Sequence, residues 1–262
     1  TIMGEAERVA TVLWVAHTHI QPHCKMTPRL FVTSDGPNSG KSTVLKLVAD
    51  LSAGGQKLER CTLAFLGRVK QGCAAYTAVL DQQDHQLSRR QQGVGSMLDL
   101  LCAGTERGAK IGLTAETVSK GAKTYQAQSL DLFYPIAIGK IGPLEDQALR
   151  SRVITIEQLP ASPADADELW HHSRGEADPA VRDMLAKALE GRGPELAATR
   201  PDMPPGFINR RRDKWHSLFA IADAAGGDWP ARARAAAMEL EADELEADFK
   251  HLELLREVSA IA

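Results

Sequence analysis

No stretch of the 262-residue sequence approaches the roughly 20 consecutive apolar residues that cross a bilayer. The N-terminus also lacks a basic segment followed by a signal-type apolar run. Membrane anchoring and secretion therefore find no support, and a cytoplasmic setting without a membrane partner is expected. Cysteine is scarce: Cys24, Cys61, Cys73 and Cys102 lie far apart with no Cys-x-x-Cys pair. A disulfide framework or a zinc ribbon is thereby disfavoured. Excess positive charge is missing too, since 31 basic against 34 acidic residues leave a net charge of −3. That excludes a globally basic nucleic-acid wrapper but leaves room for a local basic groove. Apart from the short acidic tandem at Glu239–Asp248, read as a solvated helix face, there is no repeat.

What remains is ordinary globular material, 44% hydrophobic and 25% charged, long enough for one or two domains. Glu5 to Ile20 carry Val9, Val12, Leu13 and Ala16 at helical spacing. Arg29–Ser34 reads as a buried strand, followed by a Gly/Asn/Ser turn and a helix from Thr43 to Leu51. Thr62 is placed to cap a helix running to about Val69. Strands are expected at Tyr76–Leu80, Ala109–Leu113, Pro135–Gly139 and Arg152–Ile156, with a helix over Gln91–Ala103. Strands alternating with helices argue for a mainly parallel α/β sheet. After Gln158 the composition turns to Ala, Pro, Asp and Glu, with helices expected at Pro163–His172, at Pro179–Glu190 and from Phe207 onward. Three segments result: an N-terminal helix and connector (1–27), an α/β core (28–157) and a helical C-terminal region (158–262).

The strongest motif is Ser34-Asp-Gly-Pro-Asn-Ser-Gly-Lys-Ser-Thr43. In a P-loop, small residues let successive backbone N–H groups converge on a phosphate, and the next helix adds its positive end. Gly36, Pro37, Asn38, Ser39, Gly40, Lys41, Ser42 and Thr43 are the expected nucleotide-binding residues, with ATP as ligand. Lys41 would reach the β- and γ-phosphates and the Ser42 hydroxyl would hold Mg²⁺. The first glycine of the full pattern is replaced by Asp35, with Gly36 one place later.

A magnesium site needs a second carboxylate strand, and Ala78-Val-Leu-Asp81 supplies one, with Asp81 at its C-terminal end. Hydrolytic relatives of this motif commonly place Glu next, as the base that deprotonates the attacking water. Here that residue is Gln82, whose amide holds water but takes no proton. Nucleotide binding should survive this and turnover should suffer.

With these residues placed, the sequence resembles the domain-of-unknown-function 3631 family of bacterial, phage and plasmid proteins. The resemblance is carried by Leu13-Trp-Val-Ala-His-Thr-His19, Thr27-Pro-Arg-Leu30, the P-loop, Ala78–Asp81 and Ala137-Ile-Gly-Lys-Ile-Gly142. Asn209-Arg210, Asp213, Trp215 and Ile221–Pro230 extend it. It implies a three-layer P-loop ATPase related to the AAA+ group, with a C-terminal helical lid. It further implies action on single- or double-stranded DNA as a homo-oligomeric ring, a hexamer being one size. A primase or replication-initiator domain is a candidate partner. Family members carry Asp-Glu where this chain has Asp81-Gln82, and Asp-Arg where it has Ser151-Arg152.

Related ATPases place a polar γ-phosphate sensor where Lys140 follows its strand, and an exposed loop lysine is the plain alternative. Arg152, at a strand start, is a candidate to reach a neighbouring copy's nucleotide. Arg210, first of three consecutive arginines, is a candidate lid contact to the phosphates, the alternatives being a surface cluster or a nucleic-acid contact. Lys120, Lys123 and Tyr125 fall in a connection that reads either as a DNA-touching hairpin or as a solvated loop. Trp215 and Trp229 are expected to pack the helical region, and His17, His19, His23 and Cys24 to serve core or capping roles. Lys41, Asp81, Gln82, Lys140, Arg152 and Arg210 are thus the candidate catalytic set of an ATP-dependent DNA motor. The main rival is a nucleotide-gated switch or scaffold that binds ATP with little hydrolysis. A small-molecule kinase is a third reading.

Overall fold

The computed structural model of the chain describes residues 3–59, 61–70, 73–83, 87, 96–119, 122–162, 177–247 and 250. Helix α1 (Glu5–Ile20) is followed by β1 (Arg29–Ser34), α2 (Lys41–Leu51), β2 (Gly55–Leu58), α3 (Leu63–Val69) and β3 (Thr77–Leu80). Then come α4 (Met97–Ala103), β4 (Lys110–Ser119), β5 (Ala122–Asp131), β6 (Ile136–Ile141), α5 (Gln147–Arg150) and β7 (Val153–Glu157). The C-terminal region supplies α6 (Pro179–Leu189), α7 (Gly193–Ala198), α8 (Asn209–Ala225) and α9 (Trp229–Leu240).

Five strands form one parallel sheet in the order β2-β3-β6-β1-β7. Because side chains alternate along a strand, each strand serves both faces. Leu30, Val32, Val79, Ala137, Ile154 and Ile156 pack with the buried sides of α1, α2, α8 and α9. Phe31, Ala78, Leu80, Ile136, Ile138 and Val153 pack with α3, α4 and α5 on the other face. This is the three-layer P-loop NTPase fold that the sequence led us to expect. Its C-terminal helices share the buried cluster of α1 and the α2 face.

Several motifs outside the P-loop that carry the resemblance are structural. The Trp14 indole N–H donates to the Pro28 carbonyl at 2.9 Å, clamping α1 to the start of β1. His17 Nε2 meets Thr27 Oγ1 at 3.0 Å, and burial pushes the His17 pKa down to about 3. Arg29 is fully buried, donating from Nε to Leu101 O at 3.0 Å and from Nη1 to Tyr134 O at 2.6 Å. Trp215 stacks on Phe219 in the core, with centroids 5.6 Å apart, and Trp229 lies under Arg232.

Several expectations change. Thr62 does cap α3, accepting from Phe65 N at 3.2 Å. Ala109–Leu113, however, is not a strand of the main sheet: it opens a separate antiparallel hairpin, β4–β5, with ten-residue arms. The connection bearing Lys123 and Tyr125 is therefore a ribbon, and these residues are two apart on one arm. Lys120 and the helix expected at Pro163–His172 lie outside the described residues, as do positions 91–95 of the helix expected to start at Gln91. Strand β2 was not anticipated. Nor is the acidic tandem wholly solvated, since Glu241 and Leu245 are buried. Among the described residues no helix is long and apolar enough to cross a membrane.

Candidate nucleotide and metal site

The loop from Asp35 to Gly40 joins the C-terminal end of β1 to the first turn of α2. Gly40 caps that helix with φ +87°, a left-handed backbone that favours glycine, and no side chain caps the helix start. Thr43 N and Val44 N already donate to Gly40 O at 3.0 and 3.1 Å, so the Lys41 and Ser42 N–H groups are the first-turn donors an anion would take. Asn38 also adopts a left-handed backbone, which asparagine tolerates better than most residues. Ser39 is buried, and Asp35 is exposed to solvent. Lys41 arches back over the loop, its ammonium donating to Ser34 Oγ, to Gly36 O at 3.0 Å and to Ser39 Oγ at 3.2 Å. The charge expected to meet phosphate is held directly over the cradle.

Asp81 immediately follows β3, which lies two strands from β1 with β6 between them. It is 3% exposed. Burial alone would raise its carboxyl pKa, but hydrogen bonds from Lys57 and Ser42, the Lys57 charge and the Gln82 amide together hold it below the usual range. Ser42, the other expected magnesium ligand, is thus near enough to help hold the Asp81 charge. Lys57 of β2 forms an ion pair with Asp81 Oδ2 at 2.9 Å. On β6 the neighbour is Gly139, where an added Cβ would lie 2.5 Å from Leu45 and 3.2 Å from Asp81 Oδ1. A hydroxyl beside a buried carboxylate, already holding an ammonium cation, is a donor set that suits a hard divalent ion. Among the described residues no group of three or more His, Cys, Asp or Glu is arranged to hold a metal.

Gln82 is exposed, with φ +55°, and its N–H donates to Asp81 Oδ1 at 2.9 Å. Gln83, which sequence reasoning passed over, is buried. Its Nε2 donates to Asp81 O at 2.7 Å, while its Oε1 has no partner among the described residues. Lys57 was missed as well.

Lys140 is not brought to this cluster. Ile138 packs on the α4 face, and alternation puts Lys140 on that same side, opposite Gly139 and Asp81. Its ammonium donates to Ile141 O and Pro143 O within its own turn, at 3.0 and 3.1 Å. Arg152 and Arg210 lie at the other end of the sheet, about 20 Å away by the length of a six-residue strand. Arg152 donates to Ala148 O at 2.6 Å, and Arg210 to Ser151 Oγ at 2.9 Å. They line a cleft of about 630 Å³ with Lys25, Arg107, Glu106 and Asp213. Arg210 is thus not over the phosphate loop of its own chain, because α8 begins beside the start of β7.

Comparison with known proteins bears out the family resemblance over residues 162–261, which match the family described as Protein of unknown function (DUF3631). An uncharacterized 28.9 kDa protein from the region 5′ of xis in Saccharopolyspora erythraea is 44% identical over 69 residues. That stretch is 26% of this chain and 26% of the relative, so the chain spans about a quarter of the curated relative's length. Among solved structures, the helicase Cch of SCCmec type IV aligns at TM-score 0.45 and 13% identity, covering 94% of this chain and 47% of that one. A JCV helicase aligns at TM-score 0.35 and 12% identity, covering 88% of this chain and 64% of that one.

Proposed function

We propose that the chain is an ATP-binding P-loop ATPase that works as an oligomeric DNA motor in the replication of a mobile element. The observation that carries the proposal is the Lys41 ammonium held over its own loop, at the end of the sheet where the buried Asp81 carboxylate emerges with Ser42 nearby. In this reading Gly36 to Thr43 enclose the phosphates and Lys41 leaves its loop oxygens for the β- and γ-phosphates. Ser42 and Asp81 hold Mg²⁺, which when bound neutralises phosphate charge and orients the terminal phosphoryl group. Gly139 keeps the space beside Asp81 open.

The arginines act between copies. Arg152, with Arg210 beside it, faces the nucleotide of a neighbouring subunit in a ring, possible hexamers included, and stabilises charge that develops there. The β4–β5 ribbon is the DNA-contacting element, with Lys123 for phosphate and Tyr125 for base stacking. A primase or initiator domain is the fitting partner. Action on DNA rests on the family resemblance and on the basic cleft, not on net charge.

A nucleotide-gated switch is the second reading, and Gln82 favours it: an exposed amide stands where a base would be. One experiment tests both. Wild type and Gln82→Glu are assayed for phosphate release with MgATP and single-stranded DNA, and sized with and without both ligands. The motor reading expects assembly on ATP and a gain of about tenfold or more on restoring the carboxylate. Assembly without any gain favours the switch. A monomer under saturating ATP with no DNA affinity at low salt sinks the motor.

A further inference from the structure

We infer that the Lys57 ammonium is the resident counter-cation of Asp81, so that a divalent metal enters this site only by displacing it and arrives with the nucleotide rather than ahead of it. The inference rests on the nucleotide reading of the same site. Lys57 sits on the edge strand β2 in register with Val79, two residues before Asp81. Alternation therefore puts the Lys57 and Asp81 side chains on one face, the face that carries α2 and the phosphate loop. Backbone pairing fixes the register further, as Asp81 N donates to Leu58 O at 2.9 Å.

The ion pair is not a surface accident. Asp81 is 5% exposed in its side chain and Lys57 is 27% exposed. A pair this sheltered interacts more strongly than one in open water. Lys57 holds Oδ2, while Oδ1 takes the Gln82 amide. Both carboxylate oxygens that a hard cation would use are already engaged. A free dication approaching Asp81 also meets like charge from Lys57 and from Lys41. A triphosphate reverses that balance, bringing several negative charges with its metal. The Lys57 head, partly open to water, can then turn outward along its flexible stem.

Nothing in the hydrolytic chemistry requires a lysine here, so the role can be tested separately. Mn²⁺ binding is followed by electron paramagnetic resonance, without nucleotide, in wild type, Lys57→Met, Lys57→Arg and the double variant Lys57→Met with Asp81→Asn. Lys57→Met is expected to bind Mn²⁺ about tenfold or more tightly than wild type. Lys57→Arg should keep the wild-type value, and the double variant should lose the gain. Equal Mn²⁺ affinity in wild type and Lys57→Met overturns the inference. Should Lys57→Met fail to fold, the wild-type protein decides alone through the NMR signal of the Lys57 side-chain amine. That signal should hold still on adding Mg²⁺ and move on adding MgADP; movement with Mg²⁺ alone overturns the inference. Calorimetry of wild type with MgADP tests the nucleotide reading separately, because the Mn²⁺ comparison uses no nucleotide.

Discussion

The two ends of the parallel sheet hold charge in opposite ways. At the C-terminal end, Lys57 and Asp81 lean on each other and Lys41 on loop oxygens, in arrangements that an incoming anion or cation would replace. At the N-terminal end, charge is fixed into the fabric. Arg29 is spent on the carbonyls of Leu101 and Tyr134. Lys214 donates to Val153 O at 3.1 Å and to the Glu241 carboxylate at 2.8 Å. Trp215 Nε1 meets the same carboxylate at 2.8 Å. Only the rim of that end, with Arg152 and Arg210, leaves cations near solvent. A parallel sheet collects strand C-termini and a helix N-terminus at one edge, where partners can be exchanged. The opposite edge is free to be locked.

The sharpest way to test this division is to break the locked end. Glu241→Ala takes the near carboxylate from the buried Lys214 and Arg211 cations and leaves them Glu244 at 3.9 Å, and breaking a buried pair from one side costs about 3–5 kcal/mol. Urea denaturation should show a loss of that size, while MgADP affinity in the folded fraction stays unchanged. Lys41→Ala should do the reverse. Losing a charge-assisted contact to phosphate is expected to weaken MgADP about a hundredfold by calorimetry, with the unfolding midpoint of the ligand-free protein barely moved. Equal damage to stability and binding from either variant would dissolve the distinction.

These contrasts also show what could be read in advance. The P-loop was legible because small residues, a lysine and a helix must follow one another in sequence to make it. Asp81 was legible because four apolar residues announced its strand. β2 was not, since Gly-Gln-Lys-Leu is a short, half-exposed edge strand whose only apolar residue is its last. Missing β2 meant missing Lys57. Lys140 was assigned by its place after a strand, but a strand end has two faces, and only the paired structure tells which one a residue takes. Glu241 looked solvated because an acidic tandem usually is. Its burial depends on Lys214 and Trp215, some 26 residues earlier, and no local pattern carries that. The hairpin with ten-residue arms was hidden because its first arm reads like any core strand.

A smaller effect concerns the seam between α1 and the start of β1, at the locked end. His17 is fully buried with its pKa lowered to about 3 from an ordinary 6.5. Below pH 6.5 the unfolded chain takes up a proton that the folded chain refuses, so stability falls as the medium is acidified. At pH 5.5 the loss from this group is about 1 kcal/mol relative to neutral pH, growing until the pH nears 3. Denaturation midpoints measured across that range in wild type and His17→Gln should differ in slope, the variant being flatter. Asp81 acts in the same direction, but its lowered pKa confines its contribution to more acid conditions, so the two are separable by where the slope appears.

The smallest expected change is at Arg210. Its hydrogen bond to Ser151 is exposed, and surface contacts of that kind are worth less than about 0.5 kcal/mol. Arg210→Ala should therefore leave both the melting behaviour and the MgADP affinity of a single copy within about twofold of wild type. The near-absence of effect is itself the informative result, because a lid contact onto the phosphates of its own chain would cost tens of fold in affinity. If calorimetry on dilute, monomeric protein found such a loss, α8 would have to swing across the sheet in the nucleotide-bound state. The separation of an exchangeable end from a locked end would then hold only without ligand. If affinity is kept but the arginine matters once copies assemble, the basic rim belongs to the neighbour's nucleotide and not to its own.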